Sequence, residues 1–346
     1  MFERKSLTRM AAPALASLIL GASLTLSPAA HAQSGIDEAK AKEEGTVTWY
    51  TSTPIAIAQK TADLFTQKTG IKVDLFRSGG SQIMRRFQQE AASGRMAADV
   101  LTASDQAEIT SLAKTGVFEA FKPEHFDKVP EMAKDPSGAY TAQRLNMVTV
   151  YYRSDKVAPQ DVPKTLADLT DPKYKDQLVM ADPSFSAMQV AVTGMIAKNL
   201  GWDYYQKLAK NGAMVVQGGQ QVSDMVKRGE RLIAVAASNS YAADAKLAGF
   251  PIEAVYPKDG TFIVPAPTAI IKGGPHPNAA KLFMNFLLSD EAQQMYPAAG
   301  GYSAREDIAA PAGSPTIDSL TITPIDLDYI DKEGPAIKRQ FTKIFQ

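Results

Sequence analysis

The run IKVDLFRSGGSQIMRRF, from Ile71 to Phe87, decides the fold. Its first half alternates, with Ile71, Val73 and Leu75 set against Lys72 and Asp74, the two-residue period of a strand that buries one face. Ser78, Gly79, Gly80 and Ser81 interrupt it, and then Ile83, Met84 and Phe87 recur at helical spacing. A strand that ends in small polar residues and opens directly into a helix is half of a strand–helix–strand unit.

The same grammar repeats on either side. Thr46 to Tyr50 reads as a strand, and Pro54 opens a helix behind Ser52 or Thr53 that Gly70 ends. Ala98 to Ala103 is a strand followed by the capping residues Ser104 and Asp105. Farther on, Gln177 to Met180 leads to Ser184–Ser186, Ala213 to Gln217 leads to Gly218 and Gly219, and Arg231 to Ala237 leads to Ser238–Ser240 and a short helix ending at Leu247. Strands alternating with helices predict an α/β protein with mostly parallel sheets and helices on both faces. Two apolar stretches depart from the pattern, Asn146 to Tyr152 and Thr261 to Ile271. They read as passages between two lobes, the second an edge or crossing segment rather than a sheet centre because of Pro265 and Pro267; the alternative is that both are ordinary strands of one large sheet. A helix from Pro277 to Tyr296 and a less regular tail complete the chain and pack back on the first lobe.

Residues 1–32 have the three parts of an export signal: cationic Arg4, Lys5 and Arg9, an apolar run from Ala11 to Leu26, and the small-residue cleavage site ending at Ala32. Pro13, Gly21, Ser23, Thr25 and Ser27 break the run, which argues against a spanning anchor. The boundaries this predicts are a leader over 1–32, a discontinuous first lobe over 33–145 and 262–346, and a second lobe over 146–261. The chain has 37 basic and 37 acidic residues, and removal of the leader's three basic and one acidic residue leaves a net charge near minus two. With no long basic run, nucleic acid is not an expected partner. The chain has no cysteine, which excludes disulfides, thiolate chemistry and a lipidated N-terminal cysteine. A free periplasmic monomer is expected.

In open sheets of this kind, ligands bind beyond the carboxyl ends of the strands, where helix N-termini present unpaired N–H groups. The junction residues Thr51, Ser52, Ser78, Gly79, Gly80, Ser81, Ser104, Ser184, Ser186 and Gly219 are therefore the candidate ligand contacts. Each junction taken alone is equally well a helix cap. Arg77, at a strand end, can pair with a carboxylate or phosphonate or lie on the surface. Phe185 and Tyr241 stand at helix starts, placed to cover a ligand. Asp259 either pairs with an amine of a zwitterionic ligand or is a turn aspartate before Gly260. His125 and His276 read as loop residues. GxSxG, GxxxxGK and GxGxxG motifs are missing, and the SxxK and KTG of Ser111–Gly116 overlap in one helix end, where they cannot face each other. Neither catalytic residue, metal ligand nor cofactor is implied.

GTVTWYTSTP (Gly45–Pro54), the stretch from Phe65 to Asp105, VTVYYRSDKV (Val148–Val157) and HPNAAKLFMNFLLSDEAQQ (His276–Gln294) together resemble the ferric-type branch of family 1 extracellular solute-binding proteins. The resemblance covers nearly all of the mature chain. It implies a type II periplasmic-binding fold, two lobes joined by two crossing strands, that feeds an ABC permease. Iron-binding members use an adjacent tyrosine pair after the strand matching Leu232–Ala237. Here that stretch holds Tyr241 alone, and no histidine ligand stands near Thr51. The expectation is a receptor for a small organic anion: a phosphonate, phosphate ester or carboxylate. Ferric iron held by Tyr241 with a synergistic anion is the alternative, and a periplasmic hydrolase, for which no nucleophile with an identifiable base is found, the third.

Overall fold

The computed structural model describes residues 35–346. The leader assigned to residues 1–32 lies outside the described residues. The strands are β1 (Thr46–Thr51), β2 (Lys72–Arg77), β3 (Val100–Thr102), β4 (Phe118–Glu119), β5 (Thr141–Arg153), β6 (Leu178–Ala181), β7 (Met214–Val216), β8 (Ile233–Ser238), β9 (Ile252–Val255), β10 (Phe262–Ile271) and β11 (Tyr302–Ser303). The helices in the first half are α1 (Glu38–Glu44), α2 (Ile55–Thr69), α3 (Gly80–Ser93) and α4 (Gln106–Ala113). They are followed by α5 (Ala187–Leu200), α6 (Trp202–Lys210), α7 (Gly219–Arg228), α8 (Asn239–Leu247), α9 (Pro277–Leu287), α10 (Asp290–Ala298) and α11 (Leu327–Phe345).

All eleven strands belong to one mixed sheet, ordered β2-β1-β3-β10-β5-β8-β6-β7, with β4 on β10 and with β9 and β11 on β5. This corrects the expectation of two separate sheets. Pairing is parallel within β2-β1-β3 and within β8-β6-β7, and antiparallel wherever β5 or β10 takes part. The two long strands run between the outer groups and pair with each group's inner edge, so the hydrogen-bond ladder never breaks. β10 is a sheet centre despite its prolines. At Pro265 it pairs with β5 alone, because β3 reaches it only from Thr268, and a bulge lies between Pro265 and Pro267. A missing N–H is tolerated at such places, where the ladder is one-sided or irregular.

The apolar residues behind the first group of strands close around Trp49, Phe65 and Phe283, whose rings meet edge-on at 5.2 and 5.0 Å. Burying each such side chain contributes roughly 1.5–3 kcal/mol. The helix expected from Pro277 to Tyr296 is two helices, because Ser289 caps a new start by accepting from Ala292 N at 3.3 Å. The tail ends in the 19-residue helix α11. That helix packs on α5 and α6 as well as on α4, not on the first lobe alone. Gly194 of α5 lets it in: a Cβ there would lie 2.6 Å from Ile337 Cδ1 and 2.7 Å from Ile330 Cδ1. Phe341 meets the Tyr205 ring at 5.6 Å. Among the described residues no helix is long and apolar enough to cross a membrane.

Candidate functional site

Where β1, β2 and β3 end on one side, and β6, β7 and β8 on the other, the strand-to-helix junctions surround a cavity of about 380 Å³. The N-termini of α3, α5, α7 and α8 open onto it through Gly80, Ser186 with Ala187, Gly219, and Ser240 with Tyr241. Unpaired N–H groups and the positive ends of four helices therefore face one volume.

The floor is built from β1 outward. Thr51 and Thr53 are buried, their hydroxyl oxygens 2.8 Å apart, and Thr53 Oγ1 accepts from Gln143 Nε2 and Arg144 Nη1, each at 2.8 Å. Arg77, the last residue of β2, donates from Nε to Thr53 O at 3.1 Å. Ser104 Oγ accepts from Asn146 Nδ2 at 3.2 Å and from Arg144 Nη2 at 3.5 Å. Two guanidinium groups are thus tied to one threonine, and both line the cavity. Arg144 is only 7% exposed and has no carboxylate within ion-pair range among the described residues. Its burial, unrelieved by an acidic partner, pushes its pKa down.

The opposite wall is carried by α5, α7 and α8. Tyr241 lies across the start of α7, and Gly219 is what lets it: a Cβ there would come 2.4 Å from the ring. Burial raises the Tyr241 pKa, while Arg77 and Arg144 pull it the other way. The phenol is neutral near pH 7. Ser238 and Ser240 oxygens stand 3.0 Å apart beside it. Gln82, Gln189, Gln217, Gln220 and Gln221 complete a lining in which, among the described residues, Arg77, Arg144 and Tyr241 are the only ionisable side chains.

The structure brings together Ser52, Arg77, Ser78, Gly79, Gly80, Ser104, Phe185, Ser186, Gly219 and Tyr241. Four other expected contacts do not line the cavity. Thr51 sits beneath it as a support for Thr53, and the Ser81 hydroxyl is buried without a partner among the described residues. Ser184 N donates to Asp182 Oδ1 at 2.7 Å in a turn before α5. Asp259 is a structural aspartate: its carboxylate accepts from Leu166 N at 2.7 Å and Ala167 N at 3.0 Å. His276 is not a plain loop residue either, since its Nδ1 lies 2.8 Å from the buried Asp99 carboxylate. Sequence reasoning does not find Arg144 or Asn146: β5 begins at Thr141, so Arg144 precedes the apolar stretch of Asn146 to Tyr152, and Asn146 stands at the edge of a stretch read only as a crossing segment. An arginine two residues ahead of the apolar run was the available signal. The glutamines carried none.

A sequence profile described as bacterial extracellular solute-binding protein matches residues 96–333. Iron uptake protein A1 of Synechocystis sp. is 25% identical over 79% of this chain and 79% of its own. Among solved structures, the periplasmic binding protein AfuA from Actinobacillus pleuropneumoniae, with fructose-6-phosphate bound, superposes with a TM-score of 0.78 at 22% identity, over 87% of this chain and 98% of that one. Iron-bound HitA from Pseudomonas aeruginosa gives 0.73 at 22% identity, over 86% and 99%. The fold of these structures is the type II periplasmic-binding fold, which the mixed sheet and flanking helices of this chain share. The profile spans more than half of the sequence, and the chain accordingly belongs to the bacterial extracellular solute-binding proteins, as an exported, periplasmic and non-catalytic binding component of an ABC importer related to the ferric-iron-binding branch.

Proposed function

We propose that this receptor closes around a small organic anion carrying a phosphonate, phosphate ester or carboxylate group and presents it to its permease as a monomer. One observation carries the reading: two guanidinium groups and four helix N-termini meet in a cavity whose lining, among the described residues, includes no Asp, Glu or His. Such a wall compensates negative charge and leaves a cation without a partner. The volume points the same way. About 380 Å³ lies within the range of small-molecule sites and far exceeds a bare ion. The amide-rich remainder suits neutral hydroxyls of the ligand, and the lack of a lining carboxylate disfavours an amine. Residues 33–145 with 262–346 would form one lobe and 146–261 the other, with β5 and β10 crossing between them. Closure is a population shift, because only the closed form offers both walls to the ligand.

Ferric iron is the second reading, favoured by the iron named for Iron uptake protein A1 and HitA. On names alone the relatives favour it over the organic anion. It would use Tyr241 and a co-bound anion at the arginines. Thermal melts against phosphonates, phosphate esters, carboxylates and ferric citrate separate the two. A ligand at 100 times its Kd stabilises by about 2.7 kcal/mol, a visible rise. The anion reading requires such a rise from a metal-free anion with no colour. A shift only with ferric citrate, accompanied by a phenolate-to-iron absorption band, replaces it with iron.

A further inference from the structure

Gly79 and Gly80 meet the opposite wall of the cavity directly. A Cβ on Gly79 would lie 3.0 Å from Phe185 O, and one on Gly80 would lie 2.8 Å from Ala187 Cβ. Neither glycine is needed for its backbone: Gly79 has φ −64°, and neither has a positive φ. Any residue adopts these conformations, so what the positions require is the missing side chain. The contact joins the N-terminus of α3, fed by β2, to the N-terminus of α5, fed by β6. Among the described residues no hydrogen bond links residues 78–82 to residues 184–188; Ser78 bonds within its own turn to Gln82, and Ser184 to Asp182.

We infer that Gly79 and Gly80 form a bare closing stop: Gly79 faces the Phe185 carbonyl and Gly80 the Ala187 methyl, and this contact fixes how far the walls approach and so which ligands reach both. The inference rests on the two-walled capture proposed above. A contact without hydrogen bonds adds little attraction, so the ligand itself must hold the walls together. A side chain at position 80 removes no polar group from the lining but holds the rims about 1 Å farther apart, given that real Cβ atoms keep well over 3 Å between them. Ligand hydrogen bonds near 2.9 Å weaken steeply over such a distance.

The chain has no cysteine, so Gly80→Cys with Ala187→Cys places the only two thiols at the stop. A disulfide needs a Cβ separation of about 3.5–4.5 Å, reached by parting the rims about 1 Å. With a mild oxidant the ligand-free double variant is expected to cross-link within the monomer, and inorganic phosphate is expected to speed the reaction. Two thiols that both label with a maleimide yet never cross-link overturn the stop. Cross-linking that phosphate does not accelerate upholds the stop and counts against the anion reading alone. Gly80→Val gives an independent check: phosphate affinity falls about tenfold or more as the closed form is lost, with an unchanged ligand-free melting temperature. Wild-type affinity in that variant overturns the inference.

Discussion

Replacing Arg144 by methionine tests the site through an unusual combination, a more stable protein that binds more weakly. The guanidinium is 7% exposed, makes one short hydrogen bond, to Thr53 Oγ1 at 2.8 Å, and one at 3.5 Å, and has no acidic partner among the described residues. Burying an ion costs several kcal/mol, and one good charge-assisted hydrogen bond returns only about 1.5–3 kcal/mol. Methionine keeps the apolar stem, and Thr53 keeps Gln143 Nε2 at 2.8 Å. The ligand-free variant should gain about 1–2 kcal/mol. At about 2.1 cal/mol/K of unfolding entropy per residue, some 310 described residues give about 0.65 kcal/mol/K, so calorimetry should record a rise of about 2–3 °C. Titration calorimetry should record an anion affinity about 10- to 150-fold lower, the equivalent of one lost charge-assisted bond. Arg144→Lys keeps the charge but not the fork and should fall between the two. A ligand-free melting temperature several degrees below wild type would show that Arg144 is a structural strut and would remove the argument that its charge awaits a ligand.

Two further outcomes follow from strain and from titration. Ala236 holds φ 48° inside β8, so Ala236→Gly should be neutral or slightly stabilising in urea melts, whereas Ala234→Gly in the same strand should cost about 1 kcal/mol; equal losses at the two sites would mean that Ala236 is unstrained. Burial beside Asp105, with Asp331 adding to the effect and Lys338 opposing it, pushes the Glu108 carboxyl up from 4.5 to about 7. A raised acid favours folding in its protonated form, so this contribution is intact below pH 4.5 and lost as pH rises through 7. Glu108→Gln should then raise the melting temperature at pH 8 by about 2 °C and leave it unchanged at pH 4.5, and an equal effect at both would refute the assignment.

The strand–helix junctions were readable because both periods are short. Ile71 to Phe87 shows a two-residue alternation and a helical spacing on either side of a glycine turn, and β2 and α3 fall there. The single sheet was legible only as the lesser of two readings. Whether two long strands close one ladder or join two depends on which edges they meet, and Pro265 and Pro267 argue against a central β10, whose bulge and one-sided pairing have no local sequence signal. α11 was hidden by Gly334 and Pro335, which lower helical propensity locally but are accommodated inside the helix by packing on Val190 and its neighbours. At the site, ten of the residues that line the cavity were legible, Arg77 from its strand end and the others from the strand-to-helix junctions. Arg144 and the glutamines were not, since their positions follow from tertiary approach rather than from any local rule.

The charge of the wall bears on iron and anion alike. With Tyr241 neutral near pH 7, Arg77 and Arg144 leave the lining with two positive charges and no negative one. A trivalent cation at an illustrative ~6 Å from one guanidinium meets roughly 8 kcal/mol of repulsion at an effective dielectric constant of about 20. Deprotonating a single phenol removes one charge from that balance, and it must do so against the burial that raises the phenol's pKa. Iron can therefore enter only with an anion that brings most of the compensating charge. An anion needs no metal to satisfy the same arginines and helix ends. The two cargo readings thus share one first requirement, negative charge at Arg77 and Arg144, and the metal is the added condition.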